Sequence, residues 1–164
     1  PLIGSWKLAP EAYALTLGPT LNDFSWYWNT LESVTGIRAC QFDDEYVFGA
    51  DGSFQNILGT QTFLEEWQGT INECGTPVAP HDGTATATYI YNEANATITI
   101  NGVGAYLGLA KVINGSELLS PVDAADSITY MATLSEDGNI LDLDIEFTTL
   151  DGSSGFWSFK LVKQ

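Results

Sequence analysis

The stretch ILDLDIEF, residues 140–147, alternates without a break: Leu141, Leu143, Ile145 and Phe147 face one way, Asp142, Asp144 and Glu146 the other. A period of two puts successive side chains on opposite faces of a strand, whereas a helix needs a period near 3.6. This segment is therefore confined to a β-strand with one buried face. The same alternation recurs in SITYMATL (127–134), TATATYIY (84–91), ATITI (96–100) and FWSFKLVK (156–163). Asp-Gly or Asn-Gly pairs at 51–52, 114–115, 137–138 and 151–152 punctuate these runs. Both pairs tolerate the positive φ of tight hairpins, so 46–57 reads as one hairpin and 127–147 as another that continues into the last strand. About 8–10 antiparallel strands follow. Each has one apolar face, so they must close on themselves or pack as two sheets. The expected fold is an all-β antiparallel barrel forming one domain over residues 1–164, with a two-sheet sandwich as the alternative.

Two segments break the rhythm and are expected as loop insertions, at about 9–36 and 65–83. The first carries DFSWYWNTLES (23–33), four aromatic residues within five positions. On the strands, Trp6, Tyr46, Phe48, Phe54, Tyr130, Phe147, Trp157 and Phe159 fall on the apolar faces and are assigned to the core.

Five Lys and Arg against 21 Asp and Glu give a net charge of −16. Such a surface repels phosphate backbones and anionic headgroups, which argues against nucleic-acid and membrane-surface partners. No apolar run reaches the length of a membrane helix. The opening PLIGSWKLAP has neither a basic nor a long apolar region, so no signal peptide is read there, and the start on Pro1 reads as an excised domain. Cys40 and Cys74 lie outside any C-x-x-C pair, and one histidine in the chain makes a Cys/His zinc site improbable. A Cys40–Cys74 disulfide would close a loop of about 35 residues and stabilise by roughly 3–4 kcal/mol. Two separate buried thiols are the alternative.

LIGSWKLA with Gly4 and Trp6, YVFGADGSF with Tyr46, Phe48, Asp51, Gly52 and Phe54, and the closing WSFKLVK resemble bacterial lipocalin-like domains. CQFDDEYVFGADGSFQN, EEWQG, CGTPVAPHDGTATATYIY and NGVGAYLGLAKVINGSEL are similar to a lipocalin-like accessory domain found beside glycoside hydrolase modules in secreted bacterial polysaccharide-degrading proteins. The resemblance implies a lipocalin-like barrel, secreted or at the cell surface, attached to the catalytic module of a parent chain and binding its polysaccharide. It carries over no binding residue.

The candidate carbohydrate-binding residues come from the sequence itself. In an extended 23–29 segment, Phe24, Trp26 and Trp28 share a side and form a platform, with Tyr27 opposite. The competing reading is a loop that plugs the barrel with Trp26 inward. Glu65 supplies a hydroxyl acceptor, and Trp67 is a further aromatic. Tyr106 lies among Gly102, Gly104, Ala105 and Gly108, where a ligand or a packed backbone can approach closely. His81 beside Asp82 can hydrogen-bond a sugar or serve as a turn residue; no nucleophile motif accompanies it. Paired carboxylates for glycoside cleavage have no fixed spacing here, so the domain is expected to be non-catalytic. No cofactor is required. A structural calcium is the one metal considered, with Asp43 and Asp44 as its ligands, and no EF-hand pattern is present. With so few cations, the expected ligand is a neutral polysaccharide held by stacking. A small apolar ligand inside the barrel, or a spacer role in which the aromatic loop docks on a neighbouring module, are the alternatives.

Overall fold

In the computed structural model, which describes residues 1–164, the alternating runs are strands. Along the chain come β1 (Gly4–Leu8), β2 (Leu15–Gly18), β3 (Tyr27–Trp28), helix α1 (Leu31–Thr35), helix α2 (Ala39–Phe42), β4 (Glu45–Phe48) and β5 (Ser53–Ile57). Then follow β6 (Thr62–Leu64), β7 (Glu73–Gly75), β8 (Ala87–Asn92), β9 (Thr97–Asn101), β10 (Val112–Ile113) and β11 (Ser116–Glu117). The long strands β12 (Ser127–Leu134), β13 (Ile140–Thr148) and β14 (Ser154–Lys163) end the chain.

Eight strands close a barrel in the order β1-β4-β5-β8-β9-β12-β13-β14, and β14 returns to β1. All these pairings are antiparallel, and each barrel strand neighbours the next in sequence. This up-and-down closure, shared with lipocalin-like barrels, removes the exposed sheet edges; the sandwich alternative is not formed. The seam pairs Trp6 with Lys163 and Leu8 with Leu161. All eight aromatics assigned to the core are buried. Trp6 meets the polar cost of burial by donating its Nε1–H to the Leu2 carbonyl at 2.8 Å.

The barrel interior is filled by the protein's own chain. Residues 104–109, between β9 and β10, are all buried. They touch inward side chains from four walls. The Asn56 amide of β5 exchanges two hydrogen bonds with the Tyr106 backbone, at 2.9 and 3.2 Å. The Leu107 N–H donates to the Tyr130 hydroxyl of β12 at 3.0 Å. The Gly108 carbonyl accepts from the Tyr46 hydroxyl of β4 at 3.3 Å, and a Cβ on Gly108 would lie 2.4 Å from the Phe159 ring of β14. Only glycine fits there, at φ +74°. The small-apolar-ligand alternative is corrected accordingly, since this strap occupies the space such a ligand needs.

Neither expected insertion is a plain loop. β14 is ten residues long and β1 only five, so half of β14 would be an open edge. β2 pairs with that half, from Phe156↔Gly18 to Phe159↔Leu15, and β3 extends the ribbon. Thr30 caps α1 by accepting from the Ser33 N–H. In the second insertion, β7 pairs with β6, and a disulfide joins Cys40 of α2 to Cys74 of β7. No helix is long and apolar enough to cross a membrane.

Candidate functional site

The register of the β14–β2–β3 ribbon sorts its side chains. Thr16 lies opposite Ser158 on one side and Trp28 on the other, so these three share the outer face; Trp157, Leu17 and Tyr27 share the inner one. Tyr27 accordingly packs on Trp157, ring centroids 5.8 Å apart. Trp28 faces outward and is 45% exposed.

Buried Asn29 pins the turn that leads into β2. Its Oδ1 accepts from the Leu15 N–H at 2.8 Å, and its Nδ2 donates to the Glu11 carbonyl at 2.9 Å. The Asn29 carbonyl accepts from the Tyr13 N–H at 3.0 Å. These bonds hold Tyr13 at φ 65°, a left-handed conformation that costs a non-glycine residue roughly 1–2 kcal/mol. The Tyr13 ring then stacks on Trp28, centroids 5.9 Å apart and planes within 10°, with Phe24 6.2 Å from Tyr13. All three rings remain open to solvent, Tyr13 by 52%. The result is an exposed aromatic ridge.

Concavities lie on both sides of the ridge. One is a groove of about 540 Å³ over the outer faces of β13 and β14, walled by Tyr13 and Phe24 and lined by Thr16, Asp142, Asp144 and Ser158. The Ser158 hydroxyl donates to Asp144, and Lys160 at the groove's rim is paired with Glu11 at 2.5 Å. Partial burial pushes the Asp142 carboxyl upward in pKa, against the opposing charge of Lys160. The other concavity, about 380 Å³, lies between Trp28, Tyr27, Arg38, Phe63 and Glu65. There the Arg38 guanidinium sits 4.2 Å over Phe63 and 5.5 Å over Tyr27, and Nη1 donates to Gln41. Glu65 is held by Lys111 at 3.2 Å, and Lys111 also meets Glu117 at 3.5 Å.

The structure thus brings Tyr27, Trp28 and Glu65 around one concavity, packs Trp67, His81 and Tyr106 against one another elsewhere, and leaves Trp26 apart. Trp26 is 44% exposed but has no ring partner, and it lies beside Gly155 and Phe147. The platform expected from Phe24, Trp26 and Trp28 is therefore corrected to Phe24, Tyr13 and Trp28. Trp67 is partly buried, its ring edge-on to His81 at 5.3 Å, and it lines a third concavity with Lys111 and Glu117. His81 and Tyr106 are corrected out of any surface site, both being buried with their ring centroids 6.1 Å apart. Burial lowers the His81 pKa to about 4, so the ring is neutral at pH 7.

Asp43 and Asp44 do not form a calcium site. Asp44 turns inward, accepts from the Thr62 hydroxyl at 2.6 Å, and is held protonated by a burial-raised pKa of about 8. No group of three His, Cys, Asp or Glu side chains gathers anywhere in the chain to hold a metal ion.

Tyr13 and Thr16 are the residues that sequence reading passed over. Tyr13 sits in PEAYALTLG, where neither alternation nor aromatic clustering marks it. Its role arises from the Asn29 hydrogen bonds. A comparison of the chain with protein-family models and with curated proteins found no match.

Proposed function

We propose that this chain is a non-catalytic carbohydrate-binding module of a secreted polysaccharide-degrading protein, and that it binds glycan along the Tyr13–Trp28–Phe24 ridge. One observation carries the reading: two stacked rings stay half exposed on a backbone held in a strained conformation, beside hydroxyl-binding groups on either side. Pyranose C–H faces stack on such rings, and carboxylates, Thr16 and Arg38 can engage the hydroxyls. The net charge of −16 disfavours anionic glycans, leaving neutral ones as the baseline ligand. The Cys40–Cys74 disulfide suits an oxidising, extracellular setting.

A second reading has its own support. Leu21, Leu31 and Ile37 are also exposed within the segment that bears the ridge, as they would be on a face docking onto the parent's catalytic module.

Tryptophan fluorescence titrated with soluble neutral and acidic polysaccharides separates the two. A saturable shift with a neutral glycan, lost in Tyr13→Ala and Trp28→Ala but kept in Trp67→Phe, supports the module. Each ring should contribute on the order of 1 kcal/mol. A flat response across the panel overturns it in favour of docking.

A further inference from the structure

Resting on the glycan reading, we infer that the groove beside the ridge is a subsite for an amino sugar with a free ammonium group. The groove is lined by three carboxylates, Glu11, Asp142 and Asp144, against one ammonium, Lys160. Lys160 is paired with Glu11 and also stands opposite Asp142 across β13 and β14, so the three carboxylates share one ammonium and the groove keeps an excess of negative charge. One Asp144 oxygen accepts from Ser158, and Asp142 makes no side-chain hydrogen bond.

A second feature is independent of the carboxylates. Thr16 is 2% exposed, lines the groove, and its hydroxyl makes no hydrogen bond within the protein. The side chain is buried but its hydroxyl is open to the groove, where it can bond whatever fills the space. The walls add a third. The faces of Tyr13 and Phe24 carry the negative side of the aromatic quadrupole and attract cations. Aromatic side chains beside carboxylates in excess of cations and an unpaired hydroxyl match a ring that offers C–H faces, an ammonium group and hydroxyls together. A lysine side chain offers the ammonium alone, with no ring to lie on the wall. The overall charge of −16 raises the local concentration of any cationic polymer.

The test compares three hexamers of matched linkage by calorimetry at low salt and mildly acidic pH: fully deacetylated glucosamine, its N-acetylated counterpart, and glucose. The deacetylated hexamer should bind about tenfold tighter than the other two, as expected for two partly exposed carboxylate contacts. In the D142N/D144N double variant this preference should vanish, while a residual affinity for the N-acetylated hexamer that is lost on adding Tyr13→Ala reports an intact ridge. The preference of the unaltered protein should also vanish at high salt, a readout independent of any variant.

Three hexamers binding equally, with dependence on Tyr13, would overturn the ammonium subsite and leave the glycan module standing. Hexalysine binding as tightly as the deacetylated sugar would overturn it as well, in favour of a general polycation patch. No binding by any hexamer would overturn both readings.

Discussion

Replacing Asp44 by asparagine should stabilise the protein at neutral pH and remove one source of its pH dependence. Asp44 is buried, Thr62 donates to its Oδ2, and its Oδ1 has no partner. Burial raises its pKa from 3.8 to about 8, against the lowering effect of the Thr62 hydrogen bond. Between those two values the folded protein keeps the proton that the unfolded chain releases. The folded state binds more protons there, so stability falls as pH rises through the window, by about 1.4 kcal/mol per unit, and levels off above the folded pKa. At pH 7 the cost is on the order of 4 kcal/mol. Asparagine keeps an oxygen for Thr62 and never ionises. Its amide N–H takes the place of a carboxylic O–H that also lacks an acceptor, so the cost of polar burial is similar in the two proteins. Urea unfolding from roughly pH 5 to pH 7 would measure the effect. The advantage of Asp44→Asn should widen by about 3 kcal/mol across that range. Stability curves that run parallel for the two proteins would refute the account of a buried, protonated Asp44.

His81 should act with the opposite sign. Its pKa falls from 6.5 to about 4 on burial, so its contribution is complete above pH 6.5 and is lost as pH drops toward 4, on the order of 3 kcal/mol in all. His81→Gln should lose that acid sensitivity in urea unfolding, and an unchanged acid limb would contradict the assignment. In Gly108→Ala, the added methyl meets the Phe159 ring at a left-handed backbone position, and the loss of stability should be roughly 2–5 kcal/mol by the same assay. A near-neutral effect would mean that the strap does not thread the barrel. Reducing the Cys40–Cys74 bridge, which spans 34 positions, should cost roughly 3 kcal/mol. Unfolding with and without reductant checks this, and coincident curves would count against it.

The barrel strands were legible because their signal is local. Alternation in 140–147 and the Asp-Gly pairs at 137–138 and 151–152 specify the β12–β13–β14 meander without reference to the rest of the chain. The ribbon was not legible. LTLG is four residues long, and β3 only two, too short for a period to register. They become strands because β14 outruns β1 and leaves an edge to cover. Segment 102–110 likewise carries no periodic mark. Its glycines admitted either a ligand or a close backbone, and only the surrounding walls decided for the backbone.

The candidate site divides in the same way. The sequence by itself determined that aromatic rings would crowd residues 24–28, that Asp142 and Asp144 would face solvent, and that the surface would be acidic. All three follow from composition and a period of two. Tertiary structure decided which rings form the ridge. The Asn29 side chain and carbonyl reach back across the first insertion to set Tyr13 against Trp28, while Trp26 lies over toward Gly155. It also withdrew His81, Tyr106 and Asp44 from the surface, because packing between distant segments buries residues that no alternating pattern marks. A pattern along the chain fixes which side of a strand a residue takes. What stands on that side depends on contacts between segments far apart in sequence.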